Sequence, residues 1–123
     1  MENCQNKFKT DLTKRCYEFS LAILNLTDKL PNKRSAWIIS DQLIRSATSI
    51  GANIIEGKSS SSRLEFKKFH EIALKSANET KYWLSLLADG GIINSDQVEK
   101  LLKEADELSK MLGAGVIRLK QKF

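Results

Sequence analysis

The sequence predicts an all-α protein, an antiparallel up-down-up-down four-helix bundle that takes up residues 1–123 as a single domain. Three observations lead to this prediction. Four long stretches place apolar residues every three or four positions, which is the spacing of one helix face. Short polar segments separate these stretches, and short connections favour antiparallel neighbours. No stretch has the strict alternation of apolar and polar residues that marks a half-buried strand.

The first helix is predicted over residues 7–29, and Pro31 ends it because proline cannot continue a helix. Its core-facing stripe has apolar residues three and four positions apart: Phe8, Leu12, Cys16, Phe19, Ile23, Leu26 and Leu30. Twelve residues separate Cys4 from Cys16, about 18 Å along one helix, so they are too far apart for a disulfide. We expect Cys16 to be a small core residue and Cys4 a free thiol.

The second helix is predicted over 35–56, with Ser35 as a candidate N-cap and Gly57 as the C-terminal glycine. It is apolar on two sides, which indicates that it is covered on two sides. The wider stripe is Ile39, Leu43, Ala47, Ile50 and Ile54, and the narrower one is Trp37, Ile44 and Ile55.

The third helix is predicted over 62–89, where Ser62 and Glu65 have the spacing of a capping box and Gly90-Gly91 follows the end. Its predicted core face is Phe66, Phe69, Ile72, Ala73, Ser76, Thr80, Trp83, Leu84 and Leu87. The fourth helix is predicted over 95–120, with Asn94 or Ser95 as its cap. Its predicted core stripe is Val98, Leu101, Leu102, Ala105, Leu108, Leu112, Val116 and Leu119.

Fifteen positions in the second and third helices and at Gly57 follow a known pattern: Gln42, Leu43, Arg45, Ser49, Ile50, Asn53, Ile54, Glu56, Gly57, Glu65, Phe66, Ile72, Ala73, Ser76 and Glu79. In these the chain resembles the bacterial four helix bundle proteins encoded in intervening sequences of large-subunit ribosomal RNA genes. Lys75 departs from the pattern, since many members carry glycine there. The resemblance implies a ring-shaped homopentamer and assigns no activity. It also implies kinship with retroelement accessory bundles that bind a reverse transcriptase and RNA.

Three helices also carry apolar residues on the side away from the core, and we interpret these as a subunit interface rather than as isolated surface residues. A cyclic ring needs two different patches on each subunit, which several such stripes could supply. The predicted interface residues are Tyr17, Leu21, Leu24, Trp37, Ile44, Ile55, Leu64, Tyr82 and Leu86.

A polar seam occupies the third side of the second helix. It consists of Gln42, Arg45, Ser49, Asn53 and Glu56, with Ser76 and Glu79 as the expected partners on the third helix. Two interpretations are open: a hydrogen-bonded network that fixes the two helices, which we favour, or a surface for a ligand or partner.

The charge is basic and uneven, with a net value of +5 for the whole chain. The best candidates for contact with RNA or DNA phosphates are Lys58, Arg63, Lys67, Lys68, Lys75, Arg118, Lys120 and Lys122. No exposed aromatics are interleaved with them, so we expect little sequence discrimination. The alternatives are a nucleic-acid enzyme as the partner, or an oligomeric interaction protein whose charge serves solubility.

Catalysis, metals and cofactors are not expected. A di-iron bundle needs two Glu-x-x-His motifs, and the single histidine, His70, is not in one. We expect His70 to face solvent, because charged residues flank it in sequence. Gly57-Lys58-Ser59 lacks the spacing and the preceding strand of a phosphate-binding loop. No run approaches the roughly 18 apolar residues of a membrane span, and the N-terminus lacks a signal core, so we expect a cytoplasmic protein.

Overall fold

The computed structural model describes residues 11–121, which form four helices and no strand. The helices are α1 (Asp11–Asp28), α2 (Arg34–Lys58), α3 (Arg63–Asp89) and α4 (Ser95–Gln121). The bounds of the second, third and fourth helices differ from the predicted ranges by at most two residues. Positions 7–10 of the predicted first helix, including Phe8, lie outside the described residues.

Each helix packs against the next along the chain, and α4 returns to α1, so the four helices form an antiparallel bundle. Packing is most extensive between α2 and α3 and least extensive between α1 and α4. The start of α3 and the end of α4 therefore lie at one end of the bundle, together with the start of α1 and the end of α2. The α2–α3 and α3–α4 connections lie at opposite ends.

The core is apolar, and every helix contributes to it. Its fully enclosed side chains include Ile23, Leu43, Ile50, Ile54, Leu84, Leu87, Val98, Leu108 and Leu112. The prediction for Ile72 is wrong, because this side chain is 45 % exposed. On α3 the buried stripe runs through His70, Ala73, Ala77 and Thr80. Ile72 directly precedes Ala73 and therefore points about 100° away from this stripe.

The helix ends follow local capping chemistry with two departures from the prediction. Ser62 Oγ accepts a hydrogen bond from the Glu65 backbone N–H at 3.1 Å, as the capping box predicts. Asn94 Oδ1 accepts one from the Asp96 N–H at 3.0 Å at the start of α4. Ser35 is not the N-cap, because α2 already begins at Arg34 and Lys33 has the extended backbone of a cap residue.

The second departure is Gly57, which does not end α2. The helix continues to Lys58 with Ser59 as its C-cap, and Gly57 is buried inside it. A Cβ on Gly57 would lie 3.1 Å from the Cβ of Phe69, so a larger residue would need α2 and α3 to shift slightly apart, and glycine suits this close approach. Among the described residues only Gly91, after α3, has a positive φ, of 67°. Lys75, the departure from the family pattern, is exposed.

Over residues 11–121, the four helices lack the length of apolar sequence that a membrane crossing requires.

Candidate functional site

The polar seam lies between α2 and α3, and at Arg45 and Glu79 it is an ion pair. The Arg45 guanidinium contacts the Glu79 carboxylate and also donates to Gln42 Oε1 at 3.1 Å. The same Glu79 carboxylate accepts a hydrogen bond from the Trp83 indole N–H at 2.8 Å. Arg45 is more than half exposed, so this pair is a surface interaction that solvent weakens.

Farther along the seam the contacts are between neutral groups. Ser49 Oγ accepts from Asn53 Nδ2 at 2.9 Å and from the Ser76 hydroxyl at 3.0 Å. Asn53 Nδ2 also donates to the Ser49 carbonyl at 2.8 Å. Ser76 is buried, and Ser49 and Asn53 are half-buried, whereas Glu56 is exposed and takes no part in these contacts. The geometry is that of a hydrogen-bonded link between two helices.

Sequence reasoning missed a neighbouring polar pair that belongs to the same contact. Thr80 Oγ1 lies 2.9 Å from Ser46 Oγ, and both residues are fully buried between α2 and α3. Ser46 lies between the apolar stripe and the seam on α2, so the sequence pattern assigns its hydroxyl to neither. Its spacing of three and seven residues from Ser49 and Asn53 was the available signal.

A second arrangement is a groove where α3 begins and α4 ends. It has a volume of about 300 Å³ and is lined by Arg63, Phe66, His70, Gly115, Arg118 and Leu119. The structure thus brings together two of the predicted basic residues, Arg63 and Arg118, which are 55 positions apart in the sequence. Neither Arg63 nor Arg118 is buried, and the groove lining that is described contains no carboxylate.

His70 forms the floor of this groove, so the expectation that it faces solvent is wrong. Its side chain is only 8 % exposed, and its ring packs against that of Phe66 with centroids 4.5 Å apart. Burial lowers the pKa of His70 because it disfavours the charged imidazolium, and the positive charge of Arg118 adds to this. Nδ1 is enclosed and meets no partner in good hydrogen-bond geometry among the described residues, but the Phe66 backbone lies close enough to oppose part of the lowering of the pKa.

The remaining predicted basic residues spread over more than one face. Lys67 is half-buried on α3 and pairs with Glu71 at 3.4 Å. Lys68 and Lys75 are exposed and seven positions apart, so they share another face of α3. Lys58 and Lys120 are exposed at the end of the bundle where the groove lies. Lys122 lies outside the described residues.

Seven of the nine predicted interface residues lie on two surfaces. Tyr17, Leu21, Leu24 and Ile55 line an apolar groove of about 370 Å³ between α1 and α2. The second surface is the outer side of α3, where Tyr82 is 59 % exposed and Leu64 and Leu86 are also exposed. Trp37 is 57 % exposed near the start of α2, whereas Ile44 is half-buried against the core. Ile38 and Ile117 are further exposed apolar side chains that the sequence interpretation left out.

Acidic residues of α4 are engaged in ion pairs within the bundle. Arg15 of α1 donates to both carboxylate oxygens of Glu104, at 3.0 and 2.6 Å, and contacts Glu107 at 2.8 Å. Lys81 of α3 lies 3.3 Å from Asp106, and the hydrogen bonds from Lys110 and Lys81 lower the pKa of that carboxyl. These pairs lie away from the Arg63–Arg118 groove.

Among residues 11–121, no three His, Cys, Asp or Glu side chains come together in an arrangement that could hold a metal ion. Cys16 is buried as a free thiol in the core.

Comparisons with known proteins agree with this architecture. A family model described as 23S rRNA-intervening sequence protein matches residues 9–114. The chain is similar to a crystal structure of a protein of unknown function from the S23 ribosomal protein family of Bacteroides thetaiotaomicron. The two share 39% identity over 85% of this chain and 97% of that chain, with a TM-score of 0.80. None of the curated proteins matches the chain. On the strength of the family match and this shared structure, the chain belongs to the 23S rRNA-intervening sequence protein family.

Proposed function

We propose that this protein is a non-catalytic helical-bundle scaffold that binds RNA or DNA with low sequence specificity through the basic end of the bundle. We use the name basic end for Lys58, Arg63, Lys67, Arg118 and Lys120. The observation that carries the proposal is the convergence of Arg63 and Arg118 on one groove whose described lining has no carboxylate. Cationic side chains grouped in this way attract a polyanion and release its counterions on binding.

The low sequence specificity follows from the position of the aromatic residues. Base stacking needs an exposed aromatic face. At the basic end Phe66 is half-buried and packs on His70, so its ring is engaged. Among residues 11–121 the exposed aromatics are Trp37 and Tyr82, which belong to the start of α2 and the last turns of α3, toward the opposite end. Contacts at the basic end would therefore be with the phosphate backbone, which carries no sequence information directly.

The names of the relatives are consistent with this partner. The matching family is described by an intervening sequence of 23S rRNA, and the similar structure is placed in a ribosomal protein family. An RNA partner, or an enzyme that acts on nucleic acid, would fit both descriptions.

The proposal includes self-association, as a homopentameric ring. Two separate apolar surfaces support this proposal, the α1–α2 groove and the outer side of α3. A subunit of a closed ring uses two different patches to contact its two neighbours. Five copies would bring five basic ends into one particle and multiply the net charge of +5 accordingly. A bundle that self-associates and binds another protein, with no nucleic-acid role, is the alternative function.

The test of nucleic-acid binding is fluorescence anisotropy with a short labelled single-stranded RNA. The double variant Lys58→Gln/Lys120→Gln removes two exposed charges of the basic end. Lys100→Gln/Lys103→Gln is the matched control, since it removes two exposed lysines from the other half of α4. We expect the first variant to bind about tenfold more weakly than the wild type and the control to bind nearly as well. If the wild-type protein does not bind RNA, or if both variants bind it with equal affinity, the nucleic-acid proposal is contradicted and the alternative function remains.

The test of self-association is light scattering on a size-exclusion column. Leu21→Glu places a charge in the α1–α2 groove, among apolar lining residues that include Leu24 and Ile55. The wild type is expected near five times 13.9 kDa and the variant at a lower mass. A monomeric wild type would contradict the ring.

A further inference from the structure

We propose that the groove between the start of α3 and the end of α4 is a binding site for a single phosphate group, held between Arg63, Arg118 and the imidazole of His70. This inference deepens the proposed function and rests on it for the source of the phosphate, namely the backbone or an end of a nucleic acid. The site itself is defined by the groove, by its glycine and by the three nitrogen-bearing side chains.

The absence of a side chain at Gly115 creates the space for the anion. A Cβ at Gly115 would stand 3.8 Å from His70 Nε2 and 3.9 Å from Arg118 Nη2. Both nitrogens therefore lie around one small space on the surface of α4. Two donors on either side of one phosphate stand roughly 5 to 8 Å apart, because each charge-assisted hydrogen bond is about 2.8 Å long. Because each lies within 4 Å of that one Cβ position, Nε2 and Nη2 are less than about 8 Å apart, which does not exceed this range.

The charges around the groove favour an anion. Arg63 comes from the first turn of α3 and Arg118 from the last turn of α4, so the two guanidinium groups approach from different helices. Guanidinium groups are planar multiple donors that match the oxygens of a phosphate. Glu71, which follows His70 in the sequence, pairs with Lys67 at 3.4 Å.

His70 places one ring nitrogen, Nε2, at the inner side of the groove. His70 is more than nine-tenths buried, and its Nε2 would lie 3.8 Å from a Cβ placed on Gly115. Its ring packs between Phe66 and Gly115, with the Cδ2–Nε2 edge toward Gly115 and the groove. Buried polar side chains normally have a partner. A phosphate in the groove would supply an acceptor for His70 Nε2 once the ring is protonated.

His70 also makes the test simple, because it is the only histidine in the chain. We would follow its ring resonances by NMR during titration with inorganic phosphate and, separately, with the dinucleotide TpT, using chloride at matched ionic strength as the control. We expect saturable shifts of the His70 ring and a higher His70 pKa in the presence of phosphate, because a bound anion favours the imidazolium. Shifts with inorganic phosphate alone would indicate a terminal phosphate, and shifts with TpT would indicate a phosphodiester.

Two variants and one matched control establish where the phosphate binds. Gly115→Ala places a methyl group in the space between His70 and Arg118, at distances that the fold tolerates as ordinary contacts. Gly113→Ala makes the same change two residues earlier, where a Cβ would meet nothing within 4 Å. Arg118→Gln removes one charge of the site. We expect Gly115→Ala and Arg118→Gln each to raise the dissociation constant for phosphate at least tenfold, and Gly113→Ala to leave it unchanged.

The outcomes separate this inference from the proposed function. If inorganic phosphate and TpT both leave the His70 resonances unmoved, the site is overturned. RNA affinity that is unchanged in both Gly115→Ala and Arg118→Gln, while the Lys58→Gln/Lys120→Gln variant binds weakly, would also overturn it and leave the proposed function standing. Phosphate that binds at His70 in a protein with no affinity for RNA or DNA would support the site and remove the proposed function.

Discussion

Gly51 of α2 lies directly against Cys16 of α1, so that a Cβ on the glycine would stand only 3.1 Å from the Cβ of the cysteine. Both residues are buried in the middle of their helices. Besides the Cys16 Cβ, the nearest atoms are the Cys16 backbone carbon at 3.8 Å and oxygen at 4.0 Å. None of these atoms can rotate away. The closeness of α1 and α2 at this level therefore depends on a glycine.

Gly51→Ala should destabilise the protein by about 1 to 2 kcal/mol. The added methyl group forces α1 and α2 apart at a cost of about 1 to 3 kcal/mol, and the better helix propensity of alanine returns up to about 1 kcal/mol of this. Urea unfolding followed by circular dichroism measures the change. Gly113→Ala on α4 is the control, because a Cβ there would meet no atom within 4 Å. This substitution should raise the free energy of unfolding by roughly 0.5 to 1 kcal/mol. Equal stabilisation of both variants would mean that Gly51 is not required for packing.

Asn53→Leu should lower the free energy of unfolding by about 1 kcal/mol and leave the affinity for RNA unchanged. The substitution removes the donor that reaches the Ser49 carbonyl and hydroxyl, and hydrogen bonds of this kind contribute about 1 kcal/mol. Asn78→Leu, on the exposed side of α3, is the matched control and should have little effect. A variant with wild-type stability and weakened binding would instead favour the interpretation of the seam as a binding surface.

The thiol of Cys16 should be unreactive in the folded protein. Burial raises the pKa of Cys16 to about 12, and the thiolate is the reactive form. In a Cys4→Ser variant, a thiol reagent at about pH 8 should modify the native protein only as fast as it unfolds, and should modify it at once in urea. Mass spectrometry of timed samples gives both rates. Modification of the native protein at the rate of a free thiol would show that Cys16 is accessible.

His70 should make the protein less stable as the pH falls below neutral. Its pKa is lowered in the folded state from the ordinary 6.5, so between that value and the folded pKa the unfolded chain binds more protons. The free energy of unfolding therefore decreases as the pH is lowered through this window and the loss is complete below the folded pKa. Urea titrations from about pH 7.5 to about pH 5 measure it. In a His70→Gln variant this part of the pH dependence should disappear, and a parallel profile in the two proteins would contradict the assignment.

The helices could be predicted from the sequence because their core stripes are long and regular. Ile23, Leu43, Leu84 and Leu108 each belong to a predicted stripe and are fully buried. The capping box at Ser62 was predictable for the same kind of reason, since it depends only on residues three positions apart. Local spacing determines these features, and local spacing is what a sequence displays.

The groove at the basic end could not be predicted in the same way. Arg63 and Arg118 meet only because α3 and α4 are antiparallel and in a particular register, which no local pattern specifies. The burial of His70 was not predicted, because charged residues flank it in the sequence. Its spacing of three residues from Ala73 and four from Phe66 was the usable signal. Glycine is common just after a helix end, which is why the sequence predicts one at Gly57, whereas in the structure this glycine permits contact with Phe69.

The salt dependence of RNA binding shows whether the basic end contacts phosphates. Anisotropy of a labelled RNA would be measured with the wild-type protein from about 50 mM to about 200 mM salt. We expect measurable binding at low salt and a linear fall of the logarithm of the association constant with the logarithm of the salt concentration. Contact with several phosphates should give a steep slope. No binding at the lowest salt, or an affinity that does not change with salt, would contradict the assignment of the basic end as a nucleic-acid surface.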